Sequence, residues 1–460
     1  MRRIYHPLFA TMMMIGGLSG CAEDTVTFNL LNIFGMFDDD EHEAQTVDVQ
    51  EKKDDEDSKF ISVIAEGTHV SVHPTALDGI VLSDPMRVDD WMQEGGGVMQ
   101  PTKHIKGSSF EEVTRRATAG DGAQWIHAAL APSPIVTPKS VIAMDGMGVV
   151  SAHSRRDIEE SLWVSHVAQS DSALLTGGIA AADGRIYIAT GRGFIASLDE
   201  KNGKKLWSRD LGEPLRSSVR IMDNRMYVVT ADSRLLCLSL YNGSLLWEHQ
   251  GVGDAKGLFG TSLPTILGNY VLIAYASGDF YMLDNNSGSM VWSDTLTRPR
   301  RTMATGLFAG VDANPVSDGR VIYAAATSGL FVADDARNGM RLWDIPVGTR
   351  HTPWMDDELL FMVSDRRELL GIARQRGQIG WKKPLPRVDE DDYAIRSYGP
   401  FLINHRLVTV MADGSIFRHD PLKGTRKNGS DLDESIASSP SFAGAYAYII
   451  TYDGDLLEVE

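Results

Sequence analysis

The stretch that decides the fold is Gly178-Ile179-Ala180-Ala181-Ala182-Asp183-Gly184-Arg185-Ile186-Tyr187-Ile188-Ala189-Thr190-Gly191-Arg192-Gly193-Phe194-Ile195-Ala196-Ser197-Leu198-Asp199-Glu200-Lys201-Asn202-Gly203-Lys204-Lys205-Leu206-Trp207. Its apolar runs are short, rich in β-branched and aromatic residues, and separated by Asp183-Gly184, by Gly191-Arg192-Gly193 and by a polar turn ending at Gly203. Runs of this kind bounded by turn residues are strands of an antiparallel meander.

From residue 134 onward the pattern recurs. Later copies end at Gly243…Trp247, Gly288…Trp292, Gly339…Trp343 and Gly377…Trp381. Trp163 ends an earlier copy without the glycine, and Gly424…Asn428 ends a later one without the tryptophan. The tryptophans are spaced by 44, 40, 45, 51 and 38 residues, the length of a four-stranded propeller blade. Seven copies plus the segment from Ser439 to Val459 make eight. The expected fold is therefore all-β: an eight-bladed β-propeller of four-stranded blades, in which radial packing buries faces that no blade buries alone. The turn glycine fits a positive φ, and Trp163, Trp207, Trp247, Trp292, Trp343 and Trp381 fill the gaps between blades as core residues.

The last segment supplies only three strands, so the eighth blade needs one from the N-terminal side of the ring. Phe110 to Ala119 is the favoured closing strand, with Arg115 where the repeat places tryptophan; the strand at Trp125 is the alternative. The propeller then occupies residues 110–460. Residues 60–109, with Asp90-Trp91-Met92-Gln93-Glu94-Gly95-Gly96, form an N-terminal extension lying across the ring surface.

The chain has 460 residues, 44 glycines and a formal net charge of −18. This balance argues against a general positive field for nucleic acid, so no nucleic-acid partner is expected. Residues 38–57 hold eleven acids against Lys52 and Lys53, a run that self-repulsion keeps solvated and extended. The two cysteines, Cys21 and Cys237, support neither a disulfide framework nor a four-thiolate metal site.

Residues 1–20 read as a cleavable signal: Arg2 and Arg3 precede an apolar stretch, Leu8 to Ile15, too short to span a bilayer as a mature helix. The following Leu18-Ser19-Gly20-Cys21 resembles the lipobox of bacterial lipoproteins, in which the cysteine thiol takes diacylglycerol. Multiple acylation of Cys21 would hold the protein on a membrane permanently. In lipoproteins an Asp after the cysteine signals inner-membrane retention; Ala22 here favours the outer membrane. Residues 21–59 form a lipid-anchored acidic linker.

The repeat Leu-Asp-x-x-x-Gly-x-x-x-Trp resembles the PQQ-type propeller repeat. With the lipobox and eight blades, the chain is similar to the BamB family of outer-membrane β-barrel assembly lipoproteins over roughly residues 85–460, including His351-Thr352-Pro353-Trp354 and Pro384-Leu385-Pro386. The resemblance implies a non-enzymatic periplasmic scaffold without cofactors. Its partners would be the POTRA domains of a BamA-like subunit and unfolded outer-membrane proteins. The family docks through the loops leading into the fourth and fifth blades. There, Leu258 and Asp312 keep the pattern, whereas Lys256, Phe259 and Gly310 depart from it.

The residues alone lead to the same loops. The longest tryptophan intervals reflect long connections, Glu248 to Thr261 and Ser293 to Asp312, and long loops on a rigid scaffold are where binding sits. Leu258, Phe259, Arg298, Arg300, Arg301 and Asp312 are the candidate partner-binding residues, a mix of apolar, arginine and acidic groups suited to a protein interface. Two other readings share the repeat: a propeller lipoprotein with another periplasmic partner, and a quinoprotein dehydrogenase. The dehydrogenase class needs a quinone, a calcium held by clustered carboxylates and commonly an adjacent cysteine pair, which this chain lacks.

Overall fold

The computed structural model describes residues 70–98, 103–120, 131–146, 148–167, 177–251, 262–296, 313–327, 329–386 and 396–460. The strands form eight sheets, seven with four strands and one with six. Blades 1 to 7 follow chain order, each a meander whose first strand lies innermost. Blade 2, for example, comprises Gly177–Ala182, Arg185–Thr190, Phe194–Asp199 and Lys205–Asp210. Alternation explains its middle strands, since Ile186, Ile188, Ala196 and Leu198 are buried in one cluster with residues of blade 1.

Blade 8 closes the ring. Its strands Ser441–Ala443, Tyr446–Ile450 and Asp455–Val459 are completed by Val113–Thr118 from the N-terminal side, with Arg115 opposite Glu458. The favoured closing strand is the observed one. Arg115 takes the tryptophan position and donates to the fully buried carboxylate of Glu458 at 2.5 Å, while reaching Asp157 of blade 1 at 3.7 Å.

Six seams between blades share one device. The indole Nε1–H of each tryptophan donates to a backbone carbonyl of the next blade: Trp163 to Glu200, Trp207 to Leu240, Trp247 to Asn285, Trp292 to Ala336, Trp343 to Arg374 and Trp381 to Pro421. Each indole lies flat on the turn glycine of that same next blade. At Gly288, with φ +71°, an added Cβ would sit 2.5 Å from the Trp247 ring. The glycine therefore serves twice, as a turn residue and as the floor beneath the previous blade's tryptophan. Blade 7 carries Asn428 at the tryptophan position, and its seam uses Arg418 instead, which donates to the carbonyls of Ser109 and Phe110. Phe110 is fully buried there.

The extension runs around the inner strands at the end marked by the first hairpin turns. Ser83 meets Asp356 of blade 6, and Ile105–Lys106 adds to the inner strand of blade 7. Val88 accepts from Gly444 of blade 8, and Trp91 bridges Val136 of blade 1. Met92 accepts from Ala181 of blade 2, and Val98 from Ile266 of blade 4. At blade 3, the fully buried Arg220 donates to the carbonyls of Glu94 and Gly97 at 2.9 Å each. Upstream, Val72 bridges Ile379 on the outer strand of blade 6, and Leu77 fills the space over Gly380. Blades 1 to 5 expose an aliphatic residue at the position of Gly380: Leu162, Leu206, Leu246, Val291 and Leu342. Among the described residues of these six blades, the position that carries glycine is the covered one.

Candidate docking rim

Cys21, Leu258, Phe259, Arg298, Arg300, Arg301 and Asp312 lie outside the described residues. The structure describes the points where the two long connections leave and re-enter the ring, and both do so on the rim opposite the first hairpin turns.

The first connection leaves after Gly251, whose N–H donates to Ser233. An added Cβ at Gly251 would lie 2.7 Å from the ring of Tyr275. His249 stacks on Tyr275 at 5.9 Å between ring centres and packs against Tyr281 at 4.9 Å. Burial pushes the His249 pKa down, so an uncharged aromatic foot holds the exit. Beside it, Arg234 is clamped by Asp232 at 3.0 Å, Glu248 at 3.2 Å and Glu213. Burial lowers its pKa, and Glu213 and Asp232 together outweigh that and raise it.

The second connection leaves after the fully buried Leu296, whose N–H donates to Gly278 at 2.7 Å. Just before it, Asp294 pairs with Arg341 of blade 5, which also binds Asp334 at 2.8 Å. Asp334 is fully buried at a position that is Leu198, Leu238 or Leu283 in other blades. Burial, only partly offset by Arg341, pushes its pKa up to about 7.

Both connections return side by side. Leu263 N–H donates to Asn314 Oδ1 at 2.7 Å, Thr265 Oγ1 donates to the Pro315 carbonyl at 2.6 Å, and Asn314 N–H donates to Thr352 Oγ1 at 3.2 Å. Thus the entries to blades 4, 5 and 6 are hydrogen-bonded in series, and Thr352 links the His351-Thr352-Pro353-Trp354 stretch to the rim. His351 is held neutral, its pKa pushed down to about 4 by burial and by Arg350 and Arg396.

Among the described residues no three His, Cys, Asp or Glu side chains stand close enough to hold a metal ion. They do not supply the carboxylate cluster of a calcium–quinone site. Cys237 is fully buried, and burial pushes its thiol up to about 12, as expected of a small core residue. Sequence reasoning missed the route of the extension around the inner strands. Its available signal was Gly95-Gly96, which adopt φ +74° and +77° in the turn that Arg220 grips.

A family model described as outer membrane protein assembly factor BamB matches residues 146–383, from blade 1 through blade 6. The Salmonella typhimurium protein of that name is 29% identical over 290 residues, covering 62% of this chain and 73% of its own. The Escherichia coli protein is 31% identical over 255 residues, covering 54% and 64%. Among solved structures, BamB from Moraxella catarrhalis superposes with a TM-score of 0.64 at 17% identity, covering 75% of this chain and 98% of that one. A quinohemoprotein alcohol dehydrogenase from Comamonas testosteroni has a TM-score of 0.63 at 13% identity, covering 84% and 83%, a likeness of fold alone. With the family model spanning more than half of the chain and both long connections, the protein belongs to the family of outer membrane protein assembly factor BamB.

Proposed function

We propose that this protein is a non-enzymatic scaffold of the outer-membrane β-barrel assembly machinery. It is held on the periplasmic face of the outer membrane by acylated Cys21 and docks on the POTRA domains of a BamA-like subunit. The observation that carries this reading is the hydrogen-bonded series at the entries to blades 4, 5 and 6, which gives two long adjacent connections a common rigid base. Leu258 and Phe259 are the apolar anchors, Arg298, Arg300 and Arg301 the cationic rim, and Asp312 the acidic partner. The extension supports the choice of rim, because it occupies the opposite end of the inner strands.

Interface energy concentrates in a few desolvated anchors, so truncating Leu258 or Phe259 to Ala is expected to cost roughly 1–3 kcal/mol of BamA binding with little change in melting temperature. Charge reversal at Arg300 and Arg301 is expected mainly to slow association and raise its salt sensitivity. Asp312→Ala is read against a melting curve first, since a turn role would lower stability instead. The comparison set is equally folded variants of the Asp223-Asn224 turn on the opposite rim. Equal losses from both rims, or none from this one, would refute the assignment. Palmitate labelling of wild type but not Cys21→Ser, with wild type in the outer-membrane fraction, tests the anchor; recovery in the inner membrane would overturn the address.

A further inference from the structure

The repeat allows one seam to be compared with another. At the seam between blades 4 and 5, Arg341 stands two residues after the turn glycine Gly339, Asp334 five residues before it, and Asp294 two residues after Trp292. Arg341 is held by both carboxylates. At the seam between blades 6 and 7 the same three positions are Arg426, His419 and Lys383. His419 faces Arg426 across the strands as Asp334 faces Arg341. Here the positions of both carboxylates carry basic side chains.

The tryptophan of this seam is in place, but three features leave its polar groups unsatisfied. Among the described residues neither Lys383 nor Arg426 forms an ion pair, in a chain whose net charge is −18. The guanidinium of Arg426 instead lies 4.7 Å from the centre of the Phe417 ring. Lys383, His419 and Arg426 line one cleft of about 440 Å³, walled on one side by Pro384, Leu385 and Pro386. His419 is 2% exposed, and its Nδ1 has no hydrogen-bond partner. A buried polar atom without a partner is costly.

We propose that this cleft binds the side-chain carboxylates of an acidic peptide segment. The carboxylates supply from the ligand the negative charge that Asp294 and Asp334 supply at the seam between blades 4 and 5, bridging Arg426 and Lys383, while apolar neighbours in the segment rest on the proline–leucine–proline wall. The volume matches a short peptide; an inorganic anion would fill a small part of it. Burial and Arg426 hold His419 neutral, and a carboxylate placed beside it favours its protonated form. The site lies on the outer strands at the seam between blades 6 and 7, two seams on from Asp294 and Arg341. Its ligand is an acidic segment of another protein, matched to the two unpaired cations of the cleft.

The test uses the full-length protein and a fluorescein-labelled peptide of alternating glutamate and leucine, with its glutamine–leucine counterpart as control. Saturable binding of the glutamate peptide is expected, weakened at least tenfold by Arg426→Gln with Lys383→Gln, both exposed positions, and accompanied by an upward shift of the His419 titration followed by NMR. Lys383→Asp with His419→Asp, which rebuilds the carboxylate pair, is expected to abolish binding. Equal binding of the glutamine peptide, an Arg426→Gln/Lys383→Gln variant that binds as wild type, or displacement by anionic phospholipid vesicles at lower concentration than peptide would each overturn the proposal.

Discussion

At the residue scale, the repeat is a set of tryptophan–glycine pairs that join neighbouring blades. The Trp247 indole is buried against Gly288 and donates to the Asn285 carbonyl at 2.9 Å. Trp247→Ala is therefore expected to cost about 3–5 kcal/mol of stability, and Trp247→Phe about 1–3, mostly for the carbonyl left without its donor; denaturant unfolding measures both. The spacing of four residues was legible in the sequence, because glycine and tryptophan recur in phase. That each glycine serves the preceding blade was not, since a contact between neighbouring repeats leaves the same periodicity as one within a repeat. Asp334 departs from the pattern, and its departure has a sign. Its folded pKa, about 7, lies above the ordinary carboxylate value, so the folded state binds the extra proton. Its contribution to stability is full below about pH 4 and is lost as pH rises to about 7. Asp334→Leu is expected to flatten this fall, seen as a smaller drop in melting temperature between pH 5 and pH 8. An unchanged pH slope would show that Arg341 keeps the carboxylate charged throughout.

At the element scale, the extension is a strap, and one histidine ties two of its turns to each other and to blade 7. His104 is fully buried, its Nδ1 lies 2.5 Å from the Ser83 carbonyl, and its Nε2 lies 2.8 Å from the backbone N–H of His405. The first contact needs a proton on Nδ1, and the second needs a lone pair on Nε2, so only one neutral tautomer satisfies both. A second proton would face the His405 N–H. Burial lowers the His104 pKa, the Ser83 carbonyl and the charges of Asp84 and Asp356 work in the opposite direction, and His405 adds to the lowering. Because the unfolded state then binds more protons, this hold is present above the ordinary histidine pKa and is lost as pH falls below it. Amide exchange at Met86 and Asn404, which donate to His104 and Ile105 carbonyls, is expected to accelerate between pH 7 and pH 5 faster than exchange in blade 2. His104→Gln, which keeps one donor and one acceptor, is expected to remove that difference. An extension across the ring was expected from the sequence, but the part played by His104 was not legible beforehand. Residues 83–106 pair with other strands in lengths of one or two residues, too short to leave an alternating pattern, whereas the five- and six-residue blade strands leave a clear one.

At the scale of the whole molecule, the ring is closed by residues 343 positions apart, Arg115 and Glu458. Glu458 also accepts from the Tyr448 hydroxyl at 3.1 Å and from Thr114 at 3.2 Å, so its carboxylate is built into the blade that joins Val113–Thr118 to the last three strands of the chain. The closing strand was legible because the last segment lacked a strand and Arg115 stood at the tryptophan position; the buried partner opposite it was not, since Glu458 reads as one acid near an acidic terminus. The pair replaces what tryptophan and an apolar residue do at other seams. A buried charge stripped of its partner is strongly unfavourable, while replacing both members by apolar groups is often neutral. Arg115→Met alone, or Glu458→Met alone, is expected to lower the melting temperature by several degrees, and the double change to recover most of that loss. If the pair is what holds the ring shut, each single variant also separates blade 8 from the rest, so that exchange at Val113–Thr118 and Asp455–Val459 rises well before global unfolding. Trp207→Ala is the control at a seam formed within one continuous stretch of chain, where the neighbouring blades stay tethered by sequence and the loss is expected to remain local to blades 2 and 3. A double variant no more stable than the singles would mean that the ion pair itself, rather than the filling of the seam, keeps the two ends together.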